Sequence, residues 1–219
     1  MTTPSESFKI NAWKRSVTES GCTIHSLDEL HRIGKKNGDH LFSLVNASVN
    51  SPEGNPLPNI VFIRGNATVV VPQLINRATG ENRFLMVRQR RIGNGKLTLE
   101  FPAGMLDHEN DDPREVACRE LFEETGLQID PNALIPLHPT PLNSSAGASD
   151  EAIFYFGCRI EVTPEEFISY NNRYRENSGE HEFITVTTCT SRDAVPQITS
   201  LQALLGFYLF FDKFVPSKQ

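Results

Sequence analysis

Three features of the sequence predict an α+β fold. From residue 60 onward, short runs of β-branched and apolar residues alternate with turn signals; a sharply delimited helix covers residues 113–125; and an apolar run with helical spacing covers residues 201–214. The 219 residues, 38% of them hydrophobic, suffice for one large domain or a domain with an appended arm.

In chain order, Phe8 to Ser20 shows helical spacing, a second helical pattern lies near Ser26 to Ile33, and His40 to Asn50 reads as a strand. Residues 1–59 therefore form an N-terminal arm or small β-rich domain. Its last part, Ser51 to Asn59 (SPEGNPLPN), is dense in Pro, Gly and Asn and reads as the linker to a main domain at 60–219. Strands follow at Ile60 to Ile63, Ala67 to Leu74 and Arg83 to Arg91, the last two joined by a turn at Ala78 to Asn82. Gly93-Asn94-Gly95 accepts the positive φ of a tight hairpin and leads into the alternating run Lys96 to Phe101. That run delivers the chain to Pro102-Ala103-Gly104. Ala152 to Ile160 and Phe183 to Thr188 read as further strands, and Thr199 and Ser200 are cap candidates for the closing helix, Leu201 to Phe214.

A net charge of −6 argues against a nucleic-acid backbone or an anionic membrane as the main partner. An acidic chain that handles a phosphate compound needs a local cation to do so. The four cysteines, Cys22, Cys118, Cys158 and Cys189, show no C-x-x-C spacing, which suggests reduced thiols and a cytoplasmic protein. No apolar run approaches the ~20 residues that span a bilayer, and the polar start MTTPSESFK is not read as a signal peptide.

The acidic helix is the chemical centre of the sequence. Asp112-Pro113-Arg114-Glu115 combines a cap, a proline at the first helical position and a glutamate three residues after the cap, and Gly126 supplies the stop. Helical spacing puts Glu120, Glu123 and Glu124 on one side and Ala117, Cys118, Leu121 and Phe122 on the other. Neighbouring carboxylates repel, and Arg119 cannot pair with all of them. Hard oxygen donors without nearby His or Cys suit Mg²⁺ or Mn²⁺ rather than zinc, although helix composition alone favours an ordinary solvated acidic face.

The order of residues resembles the Nudix box, G-x5-E-x7-R-E-U-x-E-E-x-G-U, where U is aliphatic. Gly104 and Arg119-Glu120-Leu121-Phe122-Glu123-Glu124-Thr125-Gly126-Leu127 fill the pattern. The gap from Gly104 to Arg119 is longer than the pattern by one residue, and Asp111 or Asp112, with Glu109 nearby, stands in for the first glutamate. The resemblance implies a Nudix fold, a mixed β-sheet core between helices, and a metal platform in which Glu120, Glu124 and the Ala103 carbonyl hold Mg²⁺ or Mn²⁺. It gives Glu123 a supporting position at the metals and Arg119 the task of orienting a glutamate. Such metals screen a pyrophosphate's charge, polarise its oxygens and lower the pKa of a bound water.

Flanking residues narrow the subgroup. Val87-Arg88-Gln89-Arg90-Arg91 and Leu99-Glu100-Phe101-Pro102-Ala103-Gly104 resemble the V-x-Q-x-R and L-E-x-P-A-G segments of ADP-sugar pyrophosphatases. By position Arg91, with Arg64 as a second candidate, is implied to bind the substrate phosphates. Ser178 to Ile184 resembles the loop that carries the general base or a further metal ligand, so Glu180 and Glu182 are the catalytic candidates; a surface loop with Arg173 and Arg175 as counter-charges fits the spacing as well. Pro141 to Glu151 resembles the segment bordering the sugar-nucleotide site. Phe8-Lys9-Ile10-Asn11-Ala12-Trp13, Arg64-Gly65 and Pro102 to Asp107 extend the likeness to plant-type ADP-sugar diphosphatases over most of the chain. What this implies is hydrolysis of ADP-ribose or ADP-glucose to AMP and a sugar phosphate by a homodimer whose N-terminal arm contributes to the partner's site. UDP-glucose or another nucleoside diphosphate derivative, or a catalytically silent nucleotide-binding protein, are the alternatives.

Overall fold

The structure, a computed structural model, describes residues 7–35, 38–177 and 182–215. Helix α1 (Phe8–Glu19) and strands β1 (Thr23–Gly34), β2 (His40–Asn50) and β3 (Ile60–Ile63) come first. Strands β4 (Ala67–Asn76), β5 (Asn82–Arg90), β6 (Leu97–Glu100) and β7 (Ala103–Met105) lead to helix α2 (Pro113–Thr125). The rest comprises β8 (Ile135–Pro136), β9 (Leu142–Asn143), β10 (Ala152–Val162), α3 (Pro164–Ser169), β11 (Arg173–Asn177), β12 (Glu182–Cys189), α4 (Ser191–Ala194) and α5 (Leu201–Phe214). Two compact units result. One joins Met1–Ala67, Met105–Asp111 and Leu142–Ile153; the other joins Thr68–Gly104, Asp112–Pro141 and Phe154–Gln219.

The first unit is a three-stranded sheet, β1-β2-β3, with α1 on one face. Ile10 of α1 is buried with Val45, Ala47, Val49 and Ile63 of the sheet. The expected helix near Ser26 to Ile33 is instead the middle of β1, paired with β2 along nearly its whole length. The apolar residues Ile24, Leu27, Leu30 and Ile33 recur every third position and imitate a helix. Irregularities in the pairing between Ile24 and Ser26 and between Glu29 and His31 reset the strand's alternation, and this lets Ile24 and Leu27 both pack inward.

The expected boundary at residue 59 does not coincide with the division between the units, because β3 pairs with β2 and belongs to the small sheet. Nor do residues 51–59 behave as a free linker: the Leu57 amide donates to Val49 O at 2.9 Å, and the Ala47 amide donates to Asn59 O at 2.8 Å.

In the second unit, α2 and α5 lie on opposite faces of the large sheet, which runs β11-β12-β5-β4-β10-β8 with β6 on β5 and β7 on β4. Ala117 and Leu121 of α2 are buried with Leu85 of β5 and Val186 of β12. On the other face, Phe84 of β5 meets Phe207 and Phe210 of α5 at ring-centroid distances of 4.7 and 5.1 Å. Gly206 lets α5 approach closely, since a Cβ there would come within 3.1 Å of both Val71 and Phe101. The α+β expectation of a sheet between helices holds in this unit.

Candidate active site

Helix α2 begins and ends where its caps dictate. The Asp112 carboxylate accepts from the Arg114 amide at 2.7 Å, and Gly126 adopts φ 79° and donates its amide to Phe122 O at 2.8 Å. The expected two-faced helix needs correction. Val116, Ala117, Leu121, Glu124 and Thr125 are buried, whereas Phe122 is 47% exposed. Glu124 is only 3% exposed, Glu120 is half-buried one turn earlier, and Glu123 lies on the solvent face. The three carboxylates thus occupy three different environments.

Glu120 is the one that meets the glycine loop. A Cβ on Gly104 would overlap the Glu120 carboxyl group, so only glycine leaves room for that carboxylate against the loop backbone beside Ala103. Arg119 Nη2 lies 3.3 Å from Glu120 Oε1, an ion pair with the glutamate that meets the loop. Two carboxylates one helical turn apart and the carbonyl of Ala103 are hard oxygen donors of the kind that would suit a divalent cation. Among the described residues no three His, Cys, Asp or Glu side chains converge on one point. Asp111 and Asp112, which stand in for the first glutamate of the box, both serve backbone amides. Asp111 Oδ2 accepts from the amides of Asp107 and His108 at 2.8 and 2.9 Å, while Asp112 caps α2.

Arg91 follows β5, at a turn closed by hydrogen bonds from Gly95 N to Arg91 O (2.8 Å) and from Arg91 N to Lys96 O (3.0 Å). Glu100 pairs with Val87, and alternation from Leu85 puts Val87 on the face of the sheet that packs against α2. Arg91 grips Glu100 with two hydrogen bonds, Nε to Oε1 at 3.1 Å and Nη2 to Oε2 at 2.9 Å. The Thr98 hydroxyl also donates to Glu100. Burial pushes the Glu100 carboxyl up, but the hydrogen bond and charge of Arg91, helped by Thr98, outweigh it and hold the group below its ordinary 4.5. Glu100 as the partner of Arg91, and Thr98 as a further partner of Glu100, were missed from sequence, although both lie on the strand paired with the one that leads to Arg91.

Arg64 lies in the first unit. Its Nε is 3.1 Å from the nearly buried Glu151 carboxylate, and its guanidinium is 5.6 Å from the Phe42 ring centroid. Asp150 accepts from the amides of Arg64 and Gly65 at 2.8 and 3.2 Å, so the loop at 141–151 holds the Arg64 segment through two acidic residues, Asp150 by the segment's backbone and Glu151 by the arginine side chain. Glu180 lies outside the described residues. Glu182 is described only by its backbone, which opens β12 opposite Asn177. The Arg175 guanidinium reaches Gly126 so closely that a Cβ there would overlap Nη1. Strand β11 therefore lies beside the C-terminal end of α2.

Residues 66–182 match the NUDIX domain, more than half of the chain, and the protein belongs to that family. It is 28% identical over 169 residues to Nudix hydrolase 14, chloroplastic, from Arabidopsis thaliana, covering 72% of this chain and 52% of that protein. It is 32% identical over 122 residues to an ADP-ribose pyrophosphatase of Bacillus subtilis (strain 168), covering 56% and 59%, and 30% identical over 155 residues to a GDP-mannose pyrophosphatase of Yersinia pestis (strain Pestoides F), covering 67% and 69%. The chain thus spans about half the length of the plant relative, 52%, and of several others. A crystal structure of an ADP compounds hydrolase superposes with a TM-score of 0.59 at 16% identity, covering 87% of this chain and 92% of that one, which establishes the shared fold. Among the described residues no helix is long and apolar enough to cross a membrane.

Proposed function

We propose that this protein is a Mg²⁺-dependent hydrolase that splits the pyrophosphate of ADP-ribose or ADP-glucose into AMP and a sugar phosphate. The observation that carries this reading is the Glu120 carboxylate seated against Gly104, one turn from the buried Glu124. Glu120, Glu124 and the Ala103 carbonyl would hold the ion, with Glu123 in support. When bound, the ion supplies charge screening and polarises the phosphoryl oxygens. Arg91, fixed in direction by Glu100, which Thr98 also holds, offers a guanidinium to the substrate phosphates, and Arg64 is a second candidate for them. Glu180 or Glu182 accepts the proton of the attacking water. The nearness of β11, the strand that leads toward these residues, to the end of α2 supports that last assignment.

The substrate is tested by incubating the protein and Mg²⁺ with ADP-ribose, ADP-glucose, UDP-glucose and GDP-mannose and identifying both products. AMP plus a sugar phosphate from an ADP-sugar is expected. Faster turnover of UDP-glucose or GDP-mannose would reassign the substrate, and no turnover of any of them would favour a silent nucleotide-binding protein.

The proposed homodimer is supported by the sheet face opposite α1, where Ile33, Leu44, Ile60 and Phe62 are 37–45% exposed. A monomeric mass in solution would remove it. The cytoplasmic placement rests on the thiol pattern, while the Arabidopsis relative is chloroplastic.

Arg91→Ala is expected to raise KM with little change in kcat if the phosphate contact is equal in ground and transition states. It also strands the Glu100 carboxylate. A carboxyl held low in the folded state contributes stability above its unfolded pKa, and this is lost as pH falls through the lower folded value. The mutant should therefore melt below wild type at neutral pH, with the gap closing below about pH 4. Steady-state kinetics and melts across that range check both effects, and an unchanged kcat/KM would take Arg91 out of the site.

A further inference from the structure

We propose that Lys35 is a positioning residue for the metal centre, acting through Asp107 on the loop Met105–Asp111 that joins the glycine strand to α2. The inference rests on the metal assignment above. The loop starts directly after Gly104 and ends directly before Asp112, the cap of α2, so its path sets how the Ala103 carbonyl and Glu120 are presented to one cation. By its contacts this segment belongs to the first unit, together with α1 and the small sheet.

Its ties are specific. Lys35 Nζ lies 2.7 Å from Asp107 Oδ2, with both side chains about one-fifth exposed at 22% and 21%. The fully buried Lys9 directs a second positive charge at the same carboxylate. The Asp107 amide in turn donates to Asp111 Oδ2, which closes the loop on itself, and the Leu106 amide donates to Asn66 O at 2.9 Å. Arg15 reaches Glu109 at 3.2 Å, but with side chains 56% and 55% exposed that pair is screened and contributes little. Lys35–Asp107 is the charged tie that water weakens least.

The segment also explains how an altered box can keep its platform. The substitute carboxylates Asp111 and Asp112 bond backbone amides, and the extra residue lengthens the loop, so its conformation has to be fixed by groups outside the motif. Lys35 supplies one such group. Releasing it leaves every proposed metal ligand in place and disturbs only their presentation, so the expected loss falls on metal affinity.

Mn²⁺ alone is the probe, with free Mn²⁺ measured by electron paramagnetic resonance without substrate. Lys35→Met keeps the aliphatic stem and removes the charge. It is expected to weaken Mn²⁺ binding by about 10-fold, the lower end of what an outer partner of a metal ligand contributes, and to speed amide exchange at Asp107 and His108. Lys35→Arg, which keeps the positive charge beside Asp107, should bind as wild type. A purely structural role would lower the melting temperature and leave Mn²⁺ affinity unmoved. That result in a folded Lys35→Met, or in Asp107→Asn if the first variant does not fold, overturns the proposal. Wild-type protein that binds no Mn²⁺ overturns the metal assignment as well; wild type that binds Mn²⁺ but cleaves no nucleotide sugar refutes only the hydrolase reading.

Discussion

Glu124→Gln is expected to abolish turnover and leave the protein folded. Glu124 is 3% exposed in the last turn of α2, next to the buried Leu121 and Thr125. Glutamine keeps the shape of the side chain and removes the charge a dication needs. Loss of a direct ligand should exceed the ~10–100-fold cost of removing an outer partner. Folding should not suffer, because a buried amide costs less to desolvate than a buried carboxylate and the repulsion from Glu120 and Glu123 is relieved. The metal-free mutant should therefore melt no lower than wild type. Mg²⁺ should raise the melting temperature of wild type by binding the folded state, and should not raise that of the mutant. Wild-type turnover by the mutant at limiting Mg²⁺ would sink the assignment.

The second large effect concerns the proton acceptor. Gln replacement at whichever of Glu180 and Glu182 serves as the base should lower kcat by the ~10²- to 10⁴-fold typical of general acid–base catalysis, with substrate binding little changed. The two glutamates are two residues apart, so an extended backbone would direct them alike and a turn would separate them. Single mutants distinguish the two positions. If both keep full kcat on ADP-ribose and ADP-glucose, the loop is not catalytic. The search would then move to Glu123, which stands on the solvent face of α2. Glu100 would be a poorer choice, since Arg91 and Thr98 already occupy its oxygens.

The sequence by itself determined α2 to the residue. Its signals are local: a cap bonds an amide two residues away, and a glycine relieves the backbone at the point where it turns left-handed. The hairpin at Gly93-Asn94-Gly95 and the closing helix were legible for the same reason, and the order of the box residues was enough to identify the family. β1 was not legible, because its three-residue apolar repeat suits a strand only through irregularities that exist once β2 is alongside. Burial of Glu124 and exposure of Phe122 were hidden too, since helical spacing gives the angle between side chains but not which direction the sheet lies. The partners of the candidate arginines, Glu100 for Arg91 and Glu151 for Arg64, were decided by tertiary structure alone. A guanidinium is paired by whatever carboxylate the folded chain brings within reach, and that distance is not written in the spacing of the residues.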